Sequence, residues 1–187
     1  INKSIHYFEL AANQNIPKAQ FNLGLIYYGG QYITRDINKS IHYFTLAANQ
    51  NDPEAQFNLG LIYCEGEYIT RDINKSLHYF TLAANQNIAK AQYNLGLIYY
   101  KGEYITRDIN KSLHYFTLAA NQNDPEAQFN LGLIYYFGEY ITRDINKSIH
   151  YFALAANQND PKAQFILGSI YYKGEYITRD INKSIHY

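Results

Sequence analysis

Residues 37–43 read INKSIHY, and this heptapeptide decides the fold because it returns throughout the chain. It begins at residues 1, 37, 73, 109, 145 and 181, with Ile or Leu at its fifth position. Within this period of 36 residues, 11 positions vary between copies and the other 25 are identical. Such regularity is expected of recent duplication or of deliberate consensus construction. A fixed period of this length is typical of arrays in which each repeat stacks on the next.

Each period predicts two helices. The first begins at Pro17, because Pro fits the first helical position, and ends before Gly30, because Gly adopts the left-handed conformation that closes helices. Three later copies place an Asp before the Pro, where its carboxylate can cap the free amides of the first turn. These Asp-Pro pairs begin at Asp52, Asp124 and Asp160.

The second helix runs from Ile37 to about Gln50 and follows Asp36, which stands at the N-cap position. Its apolar side chains recur at helical spacing and form one stripe. The stripe consists of Ile37, Ile41, Tyr43, Phe44, Ala47 and Ala48. Because neither helix alone could bury its apolar side, each helix pair must stack on the next. The sequence therefore predicts an all-α fold, an α/α solenoid.

Three motifs of the second complete copy resemble a known family. They are AQFNLGLIYCEG at 55–66, DINKS at 72–76 and YFTLAA at 79–84. The Sel-one-like repeat (SLR) has the similar pattern A-x-x-x-L-G-x-x-Y-x-x-G, D-x-x-K-A, Y-Y and A-A. Ser76 departs from it by replacing Ala, and Asn-Gln-Asn at 85–87 replaces a Gly-containing turn. The resemblance implies a right-handed superhelix related to tetratricopeptide repeats, a concave groove lined by first helices, and a non-catalytic adaptor role.

We expect one repeat domain over 1–187. It would open with an unpaired second helix at 1–16 and close with an incomplete repeat at 161–187. The complete repeats between them are 17–52, 53–88, 89–124 and 125–160. Neither end shows the polar outer face that terminal repeats normally carry. The ends are therefore expected to fray or to pack on another molecule, which includes end-to-end self-association.

Beyond its first residue, the first helix holds six of the variable positions, and they cover an arc of about 120° on the helical wheel. We number them 18, 21, 22, 25, 28 and 29, as in repeat 17–52, and call them the variable face. The predicted partner-binding residues on this face are Phe21, Asn22, Leu25, Tyr28, Glu54, Phe57, Asn58, Leu61, Glu65, Lys90, Tyr93, Asn94, Leu97, Tyr100, Lys101, Phe129, Asn130, Leu133, Tyr136, Phe137, Lys162, Phe165, Ser169, Tyr172 and Lys173.

Rings with amide and charged neighbours are typical of peptide grooves, where rings supply area and polar groups fix register. The recurring asparagines could hydrogen-bond the backbone of an extended peptide, as the similar asparagine does in tetratricopeptide grooves. They are Asn22, Asn58, Asn94 and Asn130. The alternative is structural: these rings pack between adjacent first helices, and the Lys and Glu residues pair between repeats.

Composition argues against other classes of protein. Sixteen basic and sixteen acidic residues cancel, whereas nucleic-acid binders usually carry a basic excess. One cysteine, Cys64, excludes a disulfide framework and a Cys-rich zinc site, and it reads as a substitution rather than a nucleophile. Apolar runs are only a few residues long, so we expect no membrane insertion. The histidines come once per repeat on the polar side of the second helix, which predicts neither a metal site nor a cofactor.

The invariant Arg-Asp pair, Arg35-Asp36 in the first complete copy, reads as loop and cap chemistry, because no enzyme needs an acid–base pair five times over. We therefore predict no catalytic residues. Two functions remain. One is a scaffold or adaptor that binds a peptide or partner domain in the groove of first helices, and the other is an architectural spacer or engineered array without a native ligand.

Overall fold

The computed structural model describes residues 2–31, 33–174 and 180–186, which form eleven helices and no strand. The helices are α1 (Asn2–Asn13), α2 (Pro17–Gly29), α3 (Ile37–Asn49), α4 (Pro53–Glu65), α5 (Ile73–Asn85), α6 (Ala89–Lys101), α7 (Ile109–Asn121), α8 (Pro125–Phe137), α9 (Ile145–Ala156), α10 (Pro161–Lys173) and α11 (Ile181–His186). The even-numbered helices are the predicted first helices, and the odd-numbered ones are the second. The predicted all-α class is confirmed.

The chain forms two compact units, Ile1–Gln92 and Tyr93–Tyr187. In the first unit α2 packs on α3 and α4 on α5, while α1 packs on α2 and α3 on α4. In the second unit α7 packs on α8, α8 on α9, α9 on α10 and α10 on α11. Consecutive helices therefore cover one another's apolar sides within each unit, as repeat stacking requires.

The predicted caps begin the helices. The Asp52 carboxylate accepts a hydrogen bond from the Ala55 amide at 2.8 Å, and the Asp36 carboxylate accepts one from the Lys39 amide at 3.0 Å. Gly30 follows α2 with a φ of 63°, in the left-handed region. These local signals set the helix boundaries because each satisfies backbone groups that have no partner inside the helix.

The Asn-Gln-Asn turn keeps the geometry that a Gly-containing turn would have. Asn51 adopts a φ of 63°, a left-handed conformation that Asn tolerates better than most residues. Its amide donates to the Ala48 carbonyl at 2.9 Å, and the Asp52 amide donates to the Ala47 carbonyl at 3.1 Å. This pair of bonds is the Schellman pattern that ends helices. The departure from the SLR pattern thus leaves the turn intact.

A buried aromatic ring on each of four second helices fills the core. Phe44, Phe80, Phe116 and Phe152 are fully buried. The Phe80 ring lies so close to Gly60 that an added Cβ would stand 2.5 Å from it. Gly60 is therefore required because the Phe80 ring, rather than the backbone of another helix, occupies the space that a Cβ would need.

Two buried polar positions were missing from the predicted core. Ser76 is fully buried, and its hydroxyl donates to the Gly60 carbonyl at 2.9 Å. The Gln56 amide is also buried and donates to the Ala48 carbonyl at 3.2 Å, while its oxygen accepts from Gln86 at 2.8 Å. The bonds of Ser76 and Gln86 join the two helices of one repeat, and the bond from Gln56 to Ala48 joins that repeat to the preceding one.

Candidate partner-binding face

The structure divides the variable face into two edges. Positions 21 and 28 face neighbouring helices, and we call them the inner edge. Positions 18, 22, 25 and 29 recur along one side of each first helix at helical spacing, and we call them the outer stripe. The two edges differ in burial, and therefore in what they can offer to a partner.

The rings at position 21 pack inward. Phe21 is only 8% exposed, and its ring centroid lies 5.7 Å from that of Phe44 on the second helix of the same repeat. Tyr93 has the same contact with Phe116 at 5.8 Å. Burial, followed by the charges of nearby acidic residues, raises the pKa of Tyr93 above its usual value. These two rings thus pack on the second helix of their own repeat, which leaves little ring surface for a ligand.

The tyrosines at position 28 join a cluster with the linker that follows the next first helix. In the first unit Tyr28 meets Tyr68 edge to face at 6.3 Å, and the Arg35 guanidinium lies 4.7 Å from the Tyr68 ring centre. Burial and then the Glu65 charge raise the pKa of Tyr28. Sequence reasoning missed the linker tyrosine, because only the fold brings it to the end of the preceding first helix.

The second unit repeats this cluster. Tyr100 meets Tyr140 edge to face at 6.0 Å, and the Arg107 guanidinium lies 4.3 Å from the Tyr140 ring centre. The same arginine donates to the Lys101 carbonyl at 3.2 Å, at the end of α6. The Arg of the Arg-Asp pair is thus a structural residue, consistent with its reading as loop chemistry.

The outer stripe faces solvent. Its side chains are exposed at positions 18 and 29 in every copy, and none of its members is buried. The stripe comprises Lys18, Asn22, Leu25 and Gly29 on α2; Glu54, Asn58, Leu61 and Glu65 on α4; Lys90, Asn94, Leu97 and Lys101 on α6; Glu126, Asn130, Leu133 and Phe137 on α8; and Lys162, Ile166, Ser169 and Lys173 on α10.

The stripe asparagines are partly engaged within their own helices. The Asn58 amide donates to the Glu54 carbonyl at 2.8 Å, and the Asn130 amide donates to the Glu126 carbonyl at the same distance. Each bond uses one of the two amide N–H groups. The Asn130 side chain also hydrogen-bonds to Tyr93, so it is at Asn58 that the rest of the amide could serve an extended ligand.

Phe165 and Tyr172 are far more exposed than their equivalents, at 75% and 59%. Both rings lie on α10, and the second helix that follows it, α11, is described over Ile181–His186.

The remaining candidates are the histidines, which lie on second helices, and Cys64, which occupies position 28 of the variable face. His42 and His78 are exposed, and their rings lie against the tyrosines that follow them in sequence. Cys64 is a half-buried free thiol. The described residues contain no group of three potential metal ligands, and no helix among them is both long and apolar enough to cross a bilayer.

A family model described as the Sel1 repeat matches residues 1–16, 17–52, 53–88, 89–124, 125–160 and 161–187. The chain belongs to the Sel1 repeat family. The resemblance to the SLR pattern is thereby confirmed. Sel1 repeat proteins are generally non-catalytic scaffolds for protein interaction. No curated protein matches the chain.

Solved structures with Sel1 repeats confirm the α/α solenoid. A protective antigen of uropathogenic Escherichia coli with an SLR fold matches with a TM-score of 0.91 at 30% identity, over 97% of this chain. The chain spans only 39% of that antigen's length. A Sel1 repeat protein from Oxalobacter formigenes matches with a TM-score of 0.83 at 33% identity, over 97% of this chain and 75% of its own.

An immunity protein, Pa5087 from Pseudomonas aeruginosa, is similar at the level of the fold alone. It has 19% identity and a TM-score of 0.55, over 98% of this chain and 66% of its own. The helical fold is thus shared by chains that differ widely in sequence.

Proposed function

We propose that this chain is a non-catalytic scaffold that binds an extended segment of a partner protein along the outer stripe of its first helices. One observation carries the proposal: residues that differ between copies include a stripe on each first helix that is not buried, while most positions that build the array are the same in every copy. A surface that varies without disturbing packing can encode a partner's sequence.

The chemistry of the stripe suits a peptide. Its centre holds amide and leucine side chains, such as Asn58 and Leu61 on α4, and exposed charges such as Glu54 and Glu65 stand at both ends. Half-buried apolar side chains supply contact area, whereas exposed charges select orientation and contribute only about 0–1 kcal/mol each. The inner-edge rings hold the surface in place from behind.

The copies themselves supply a substitution for the test. Position 25 is Leu in four copies and Ser in the fifth, so changing Leu25, Leu61, Leu97 and Leu133 to Ser introduces a residue that a first helix already carries there. Leu97 and Leu133 also pack against the core, so folding of this variant is checked first. A matched control changes His42, His78, His114 and His150, which are exposed on second helices, to Ala. Both variants and the parent chain serve as bait for proteins from the source cells, after urea unfolding has shown that each is folded.

We expect the serine variant to lose the captured partner and the alanine variant to retain it. The opposite result, retention by the serine variant and loss by the alanine variant, would move the interface to the second helices and refute the proposal. If all three baits capture the same proteins equally, neither face is the interface and the proposal also fails.

A further inference from the structure

The second compact unit contains a depression between α8 and α10 that differs from the rest of the stripe. Its volume is about 380 Å³. It is lined by Leu133, Tyr136, Phe137, Phe165, Ile166 and Ser169, with Lys173 beside them. The lining is apolar except at this lysine and at the hydroxyls of Tyr136 and Ser169, whereas the equivalent positions on α2 and α4 include Asn58 and Glu65.

Three copy-specific residues meet in this depression. Position 29 is Phe137 here and Gly, Glu or Lys in the other copies. Position 22 is Ile166 here and Asn in the other four, and position 25 is Ser169 here and Leu in the other four. The first comes from α8 and the other two come from α10, so two helices changed at the same place.

The three changes have a common physical effect. Phe137 is 67% exposed and adds an aromatic wall, while Ile166 removes an amide from the floor. Ser169 is smaller than Leu and leaves room opposite Leu133. Its hydroxyl donates to the Phe165 carbonyl at 2.9 Å, so this polar group is satisfied within its own helix. The three changes together convert an amphipathic stretch of the stripe into a mainly apolar recess.

The charged residues of the stripe on α10 are all basic. Lys162 and Lys173 are both exposed, and the α10 part of the stripe contains no acidic residue. Lys162 lines a neighbouring apolar depression that shares Ile166 with the first. The two ammonium groups are borne eleven residues apart, or about 16 Å along the helix axis. A ligand that fits the recess would therefore gain from a carboxylate on either side of its apolar group.

We propose that this recess is the anchor subsite of the outer stripe and takes a large apolar side chain of an extended protein segment that carries Asp or Glu close by. The inference rests on the proposed function, since it names the part of the stripe that dominates affinity. Interfaces generally concentrate their binding energy on a few apolar anchors seated in pockets, with charges at the rim.

The test uses random short peptides displayed on phage and selected on the full chain, followed by fluorescence anisotropy with the enriched peptides. We expect enrichment of Leu, Ile, Met or Phe with Asp or Glu within a few residues. The double substitution Ile166→Asn and Ser169→Leu gives α10 the residues of the other copies, so it should fold. It should weaken binding roughly tenfold or more, because the anchor loses its buried site.

The matched control changes His114 and His150, exposed residues on second helices, to Ala and leaves both the recess and the outer stripe unchanged. It should bind the enriched peptides as the parent chain does. Lys173→Gln should reduce the preference for acidic peptides while leaving the apolar preference in place.

The outcomes separate the two proposals. If peptides bind but show no apolar anchor, or if the α10 double variant binds them as well as the parent chain does, the anchor subsite is wrong and the scaffold proposal stands. If peptides require the recess but the histidine variant loses the cellular partner while the serine variant keeps it, the recess stands and the stripe is not the interface. If no peptide is enriched, the anchor subsite is refuted.

Discussion

Gly60 and Glu65 lie on the same helix, α4, but they belong to two faces that differ in how well they tolerate substitution. Gly60 lies under the Phe80 ring, where a Cβ would be 2.5 Å from ring carbon, and every copy has Gly there. Glu65 is exposed, and the equivalent residues are Gly, Lys and Phe. The inward face is fixed by the space that neighbouring helices leave. The outer stripe carries no such constraint, and can therefore differ from repeat to repeat.

The largest difference in stability between substitutions on the two faces should come from adding one methyl group. Gly60→Ala would force the Phe80 ring to move in a fully packed core, and we expect a loss of about 2–3 kcal/mol in the free energy of unfolding. Gly29→Ala is the matched control because nothing lies within 4 Å of its added Cβ. It should leave stability unchanged or raise it by up to about 1 kcal/mol. Urea unfolding measures both, and equal losses would contradict the comparison.

The buried amide should be the next most sensitive point. Gln56→Leu keeps the volume but removes the donor to the Ala48 carbonyl and the acceptor for Gln86. We expect a loss of about 2 kcal/mol, since buried polar groups are left without partners. Gln86→Ala removes one bond from an exposed residue and should cost less. If the two variants unfolded at the same urea concentration, the bond to Ala48 would have no role.

A smaller effect should appear at the cap of α5 and should depend on pH. The Lys75 backbone amide hydrogen-bonds to the Asp72 carboxylate, and this bond holds the pKa of Asp72 below its usual value. The folded-state pKa is thus lower than the unfolded one. The stabilisation is therefore present above about pH 4 and is lost as the pH falls through the folded-state pKa.

Asp72→Asn tests this dependence because Asn caps helices about as well as Asp and does not titrate. The stability of the variant should fall less steeply than that of the parent chain between about pH 4 and pH 2. Urea midpoints across that range supply the measurement. Parallel pH profiles would show that the cap does not depend on the Asp72 charge.

The outer stripe should give the smallest change in stability. Glu65→Lys introduces the residue that the third and fifth repeats carry at this position, on an exposed site. Its effect on the free energy of unfolding should stay within about 0.5 kcal/mol. A loss comparable to that of Gly60→Ala would show that the stripe is structural and would remove the basis for the proposed function.

Local chemistry explains why the helices were predictable and the inner edge was not. Asp52 and Gly30 act on the backbone of their own turn, so their roles can be inferred from sequence alone. Phe57 and Glu54 both lie on the variable arc, but whether each is covered depends on a helix elsewhere in the chain. A helical wheel gives the direction of a side chain and not the position of its neighbour.

The same limit applies to polar burial. Ser76 and Gln56 are residues that usually lie at surfaces, so composition places them outside the core. Their burial becomes favourable only because a carbonyl of another segment faces each of them. The linker tyrosines are a further case, because Tyr68 meets Tyr28 only after the repeats have stacked.

The near-identity of the second helices has a consequence for how the chain folds. α3 and α5 differ only at Ile41 and Leu77, so both offer α2 almost the same docking surface. Only the shorter loop to α3 distinguishes them, and the entropy of loop closure grows slowly with length. Early pairing of α2 with α5 would leave a whole repeat looped out, and escape would require those helices to separate. Refolding should therefore show a slow phase that disappears in a chain shortened to one helix pair, the kinetic signature of register errors in an array of equivalent parts.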